Sequence, residues 1–142
     1  GKALNVEAVD LDTLLRTSDF VTLHCPATDS NRGLINEEAF EKMKNTAYLI
    51  NTARGTVVDQ KALTKALKEN KIAGAGIDVY EIEPVEKDDP LLSLDNVILS
   101  SHSSWYSETA IENLHVKAAE EVINILQGNA PFHLCNKEVL NK

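Results

Sequence analysis

Arg54, Glu83 and His102 each stand just beyond a short apolar run, and together these side-chain types can grip, polarise and deprotonate a small acid bearing a hydroxyl beside its carboxylate. In Ile50-Asn51-Thr52-Ala53-Arg54-Gly55 the arginine falls on a tight turn, with Gly55 expected to supply whatever backbone angles the turn requires. A guanidinium stays charged and can hold a carboxylate through two parallel hydrogen bonds, although most isolated arginines at strand ends are solvated or make weak ion pairs. His102 is the one histidine of four that follows an apolar strand and precedes both a Ser/Trp/Tyr loop and a helix start. Imidazole titrates near neutrality, so it can accept a hydroxyl proton and return it. Glu83, in Tyr80-Glu81-Ile82-Glu83-Pro84, is suited to hydrogen-bond the other ring nitrogen, fix the tautomer and favour the imidazolium; the plainer reading leaves Glu81 and Glu83 as loop charges.

Asp78 follows Gly74-Ala75-Gly76-Ile77, a Gly-x-Gly with Val79 where a third glycine would stand. It lies inside a strand instead of opening a helix, so it is not a dinucleotide fingerprint, and its small residues serve close packing or close approach of a ligand. Asp78 can accept a hydrogen bond from a ligand or cap backbone amides. His24-Cys25-Pro26 closes another strand; no base is placed to make Cys25 a nucleophile. Trp105 and Tyr106 either cover a substrate or pack against a neighbouring domain, and His115 and His133 are assigned no role.

These residues need a scaffold that brings distant segments to one rim. Strands are expected at Phe20 to Leu23, Ala47 to Ile50, Ala73 to Asp78 and Val97 to Leu99. Between them, Asn36 can cap a helix carrying Ala39, Phe40 and Met43, and Asp59 one carrying Ala62, Leu63, Ala66 and Leu67 that stops at Asn70. Asp88-Asp89-Pro90 breaks the chain before a Leu91-Leu92 turn. Ser107 can begin a long helix ending near Gly128, with Ile111, Leu114, Ala118, Val122, Ile125 and Leu126 along one side. Apolar strands alternating with amphipathic helices predict an α/β fold, a parallel sheet covered on both faces, whose ligands sit outside the carboxyl ends of the strands.

The 142 residues have the size of a single domain. A net charge of −8 with no basic cluster argues against nucleic acid or an anionic membrane as partner, and points to a small molecule. Cys25 and Cys135 fit neither a zinc spacing nor a disulfide framework and read as reduced thiols in a cytoplasm; no metal is expected. No stretch reaches the length of a membrane span.

Ser18-Asp19-Phe20-Val21-Thr22-Leu23-His24-Cys25-Pro26, Met43-Lys44, Leu49 to Gly55, Ile77-Asp78-Val79-Tyr80-Glu81-Ile82-Glu83-Pro84 and Asn96 to His102 resemble, in order and spacing, the D-isomer-specific 2-hydroxyacid dehydrogenases. The resemblance runs from about Val6 to Gly128. It implies a partial doubly wound, Rossmann-like sheet lacking the first strands and the glycine loop, with residues 1–128 the C-terminal portion of a dinucleotide-binding domain. The last helix, about 107–127, would lead back toward a substrate domain to which 129–142 belongs. It implies NAD as cofactor, a 2-hydroxy or 2-keto acid as substrate, and a homodimer. Arg54 would bind the substrate carboxylate, His102 would be the acid/base, Glu83 would orient it, Asp78 would touch the nicotinamide, and Trp105 would stand on the substrate side. His24, Cys25, Pro26, Thr52, Ala53, Arg54, Asp78 and His102 would contact the cofactor. His102 followed by Trp105-Tyr106-Ser107-Glu108 also resembles the corepressor members of the family, so an NAD(H)-sensing interaction module, or an inactive remnant, is the alternative. Ser101 stands where the family commonly has proline. The absent strands are expected to lie between the first strand here and the other three, leaving apolar edges bare.

Overall fold

Asp10 opens the first helix of the computed structural model, which describes residues 6–136 and Glu138. Its carboxylate accepts from the Thr13 amide at 2.9 Å, and helix α1 runs Leu11–Thr17 with Leu15 buried. The sequence reading did not anticipate this helix, although Asp10 before Leu11, Leu14 and Leu15 carries both the cap and the apolar spacing. The expected caps form: Asn36 accepts from Ala39 at the start of α2 (Glu37–Lys42), and Asp59 from Ala62 at the start of α3 (Gln60–Lys68). After α3, Asn70 adopts a left-handed φ of 53°, a conformation that asparagine tolerates better than most residues.

Strands β1 (Phe20–Leu23), β2 (Tyr48–Asn51), β3 (Gly74–Ile77) and β4 (Val97–Leu99) form one parallel sheet in sequence order. This corrects one expectation. Strand β1 is not separated from the other three; it pairs with β2 along its whole length, so any further strand of this sheet on that side would add beyond β1. Each strand is laid down on the same side of its predecessor. Right-handed crossovers that advance in one direction place their helices on one face. The helices α1, α2 and α3 accordingly pack in series, α1 on α2 and α2 on α3.

Burial follows from that winding. Val21, Leu23, Leu49, Ala75 and Ile77 point into a core shared with Leu15, Phe40, Leu63 and Leu67. On the opposite face Phe20, Tyr48 and Ile98 remain 67%, 43% and 79% exposed, so within the first compact unit, described over residues 6–104, helices cover one face of the sheet where cover on both was expected. Phe20 and Tyr48 stack there with centroids 5.5 Å apart. Gly74 lies under this layer. A Cβ on it would come within 2.8 Å of the Asn96 carbonyl and 3.0 Å of the Tyr48 ring, which explains the small residue in β3.

The link between β3 and β4 contains no α-helix. A 3₁₀ turn, Pro90–Ser93, follows Asp89, whose carboxylate accepts from the Leu91 amide, and drops Leu91 into the core with no exposed surface. A second compact unit begins at Trp105. Within it α4 (Glu108–Leu126) is capped by Ser107 as expected, and none of its residues is buried. Its carboxyl end is tied to the following turn by Glu121, which accepts from the amides of Phe132 and His133. Among the described residues no helix is long and apolar enough to cross a membrane.

Leu91 is the one large side chain that this 3₁₀ turn buries. Leu91→Ala should lower unfolding free energy by roughly 2–5 kcal/mol, read from urea denaturation midpoints, because the surrounding core cannot fully collapse into the gap.

Candidate active site

The parallel register places Asn51, Ile77 and Leu99 in one row across β2, β3 and β4. Backbone hydrogen bonds carry the ladder past this row: Asp78 N–H donates to Asn51 O at 3.0 Å, Ser100 N–H to Ile77 O at 3.0 Å and His102 N–H to Asp78 O at 2.8 Å. The segments bearing Arg54, Asp78, Glu83 and His102 therefore leave the sheet at the same rim.

Arg54 is presented by a turn that Asn51 holds from inside. Asn51 is 1% exposed; its Nδ2 donates to Arg54 O at 3.0 Å and its Oδ1 accepts from Ala53 N at 3.1 Å. Both halves of the buried amide are thus satisfied by the turn they shape. The sequence reading assigned Asn51 no role, although an asparagine ending an apolar strand three residues before an arginine carries the turn signal. Gly55 also differs from expectation. It has no left-handed φ; instead a Cβ on it would stand 1.9 Å from Tyr80 O, so glycine is needed for close approach of two backbone segments. That approach holds the arginine turn against the Tyr80-to-Glu83 loop. The exposed Arg54 guanidinium donates from Nη1 to Ala53 O at 2.7 Å.

Glu83 and His102 form a pair. His102 Nδ1 lies 2.7 Å from Glu83 Oε2, while Glu83 Oε1 accepts from the Tyr80 amide at 2.9 Å. An ionised carboxylate only accepts, so this contact assigns the proton to Nδ1. The hydrogen bond from His102, then the Tyr80 amide, hold the Glu83 carboxyl below the usual carboxylate range, and the charge of Arg54 acts in the same direction. His102 itself takes a left-handed φ of 55°, which for a residue with a Cβ costs about 1–2 kcal/mol.

Asp78 is 3% exposed and stands beneath the histidine loop. Oδ1 accepts from Ser100 Oγ at 2.6 Å and Ser103 N at 2.8 Å, and Oδ2 from Ser104 N at 3.1 Å. Burial, the largest single influence, pushes this carboxyl up, but the combined bonds from Ser100, Ser103 and Ser104 outweigh it and leave Asp78 below its ordinary value.

Two hollows flank these groups. One, of about 530 Å³, is lined by Tyr80, Glu83, Val85, Leu99 and His102 among others. The other, of about 560 Å³ at the ends of β1 and β2, is lined by His24, Cys25, Pro26, Thr52, Ala53 and Arg54. His24 Nε2 lies 3.0 Å from Thr22 Oγ1, and Cys25 is half-buried against the core. The expected cofactor-side residues thus divide between the two hollows and the buried Asp78 between them in sequence. Trp105 belongs to the second unit, where it meets Tyr106 edge-on with centroids 5.8 Å apart.

A parallel sheet whose ligand-facing rim carries a carboxylate-oriented histidine defines an α/β domain of the dinucleotide-binding class. The model of the D-isomer specific 2-hydroxyacid dehydrogenase NAD binding domain matches residues 1–104, and the chain belongs to this family. It is 50% identical over 139 residues to a glyoxylate reductase of Korarchaeum cryptofilum, covering 98% of this chain and 42% of that protein. A glyoxylate reductase of Thermofilum pendens is 52% identical over 136 residues, covering 96% and 40%. The NAD-complexed D-isomer specific 2-hydroxyacid dehydrogenase from Lactobacillus delbrueckii ssp. bulgaricus superposes with a TM-score of 0.82 at 35% identity, over 90% of this chain and 43% of that one. The chain therefore spans less than half the length of the relatives it matches. The Rossmann-like parallel sheet is borne out, as is the family read from the motifs.

Asp78 has a folded-state value below the ordinary 3.8, so its contribution to stability is present above that value and is lost as pH falls through the lower, folded one. Urea midpoints of the wild type and Asp78→Asn should therefore differ most near neutrality, and the gap should shrink as pH drops below 3.8.

Proposed function

We propose that this chain supplies the acid/base side of an NAD-dependent enzyme that interconverts a D-2-hydroxy acid and its 2-keto acid. The observation that carries the reading is the 2.7 Å contact between His102 Nδ1 and Glu83 Oε2, beside the positive charge of Arg54. When bound, NAD supplies the hydride acceptor for oxidation and the donor for reduction. His102 Nε2 takes the proton from the substrate hydroxyl during oxidation and returns it to the carbonyl oxygen during reduction. Glu83 fixes the ring tautomer and stabilises the imidazolium that forms. Arg54 binds the substrate carboxylate, and its charge orients the acid so that its C2 hydroxyl faces the imidazole.

Asp78 Oδ2 would meet the nicotinamide carboxamide, while His24, Cys25, Pro26, Thr52 and Ala53 would border the adenosine side. The names of the two archaeal relatives support a short 2-keto acid such as glyoxylate as substrate. We further infer a homodimer, as the family resemblance implies, a cytoplasmic setting compatible with the unpaired thiols of Cys25 and Cys135, and a tail, 129–142, that belongs with a substrate domain.

In NADH-linked reduction of glyoxylate by the protein carrying this chain, His102→Ala should lower kcat by about a hundred- to ten-thousand-fold, the usual worth of a positioned acid/base. Arg54→Ala should mainly raise the Michaelis constant for the acid. Normal turnover in both variants would refute the assignment.

A further inference from the structure

His102 holds a left-handed φ of 55°, which histidine visits more often than most residues but still at a cost, so the contacts around it must hold it there. On its amino-terminal side Ser100 N–H donates to Ile77 O, and Ser100 O accepts from Tyr80 Oη at 2.9 Å. At the residue itself His102 N–H donates to Asp78 O. On its carboxyl side the amides of Ser103 and Ser104 both end on the Asp78 carboxylate. That carboxylate is aimed by a further bond, the 2.6 Å contact from Ser100 Oγ to the same Oδ1 that receives Ser103. The Ser100 hydroxyl thus joins the segment entering the histidine to the segment leaving it, through one buried acid.

We propose that Ser100, acting through Asp78, is a positioning residue for His102. This rests on reading His102 as the acid/base group, and it adds how the imidazole is kept in register with Glu83. Without the Ser100 hydroxyl, Asp78 keeps only its bonds from Ser103 and Ser104, on the leaving side, and its carboxylate is no longer tied to the segment that enters the histidine. The amides of Ser103 and Ser104 lose a fixed acceptor, and the left-handed turn relaxes. The ring then moves away from Glu83, since the 2.7 Å contact tolerates only a few tenths of an ångström. Tyr80 does not compensate. Its phenol, which burial pushes above the ordinary value and so keeps protonated, donates to the Ser100 carbonyl, a group that every substitution at 100 retains.

The test reads the Glu83–His102 contact directly. Carbon-13 NMR of the Glu83 carboxyl is followed against pH in the wild-type chain, Ser100→Ala and Ser100→Thr, with backbone spectra confirming the fold of each. The groups that hold Glu83 low, His102, the Tyr80 amide and Arg54, are chemically unchanged in both variants. Ser100→Ala should move the Glu83 titration up toward the ordinary carboxylate value, and Ser100→Thr, which restores the hydroxyl, should return it to the wild-type position. An unmoved titration in folded Ser100→Ala, or a threonine variant that behaves like alanine, would overturn the proposal. In the glyoxylate assay Ser100→Ala should reduce kcat by up to about a hundredfold at an unchanged Michaelis constant, the effect of a misplaced catalytic group. Because the NMR readout needs no turnover, an inactive wild type would count against the enzymatic reading alone. Active wild type with an unmoved Glu83 titration would count against the role of Ser100 alone.

Discussion

Parallel pairing in register across β2, β3 and β4 is the constraint on which the rim depends. With Asn51, Ile77 and Leu99 side by side, the chain emerges from each strand at the same height, and residues separated by up to 48 positions meet within one loop length of the sheet. Parallel strands demand a long return path, here α3 or the extended link through Leu91, so the register is fixed by burial of those returns and not by a tight turn. A slip of one residue would turn Leu49 and Ile77 outward and bring Ile50 and Gly76 onto the helices. The core and the site are consequences of the same alignment.

What the strands deliver, buried polar groups then aim. Asn51 and Asp78 are the two residues at strand ends that combine near-complete burial with hydrogen-bonded polar side chains, and each shapes a loop bearing a candidate functional group: Asn51 the Arg54 turn, Asp78 the His102 turn. Burying such groups is costly unless their partners are in place. The loops therefore have few alternatives, because any other path would strand an amide or a carboxylate out of contact with water. Gly55 acts sterically to the same end. Its lack of a Cβ lets the arginine turn lie against Tyr80 O, and this keeps Arg54 and Glu83 in electrostatic reach.

Much of this was legible in the sequence, and for identifiable reasons. The caps Asn36, Asp59 and Ser107 state their helices because side-chain capping is a local interaction. The pairing of Glu83 with His102 followed from chemical complementarity between a loop acid and a histidine after a strand. The position of β1 was misread because strand order is a property of the whole sheet, and no residue within Phe20–Leu23 encodes its neighbour. Gly55 was misread because a glycine needed for close approach and one needed for a left-handed turn look alike in sequence, and only the location of Tyr80 O separates them. The role of Ser100 was hidden for a similar reason: its partner is 22 residues earlier, across a strand pairing.

The exposure of the Glu83–His102 pair bears on how such a site works. Their side chains are 36% and 43% exposed, so in this chain alone the pair sits in a high-dielectric setting where an ion pair contributes little. The geometry is nevertheless already in place, held by the Tyr80 amide on one side and by the Asp78-anchored turn on the other. Whatever covers the hollow beside the pair, a substrate, a cofactor or protein, removes water without having to move the ring, and the attraction between carboxylate and imidazolium then strengthens as the local dielectric falls. Orientation is thus separated from strength. The sheet and its buried acid set the first before any ligand arrives, and a lower local dielectric would supply the second.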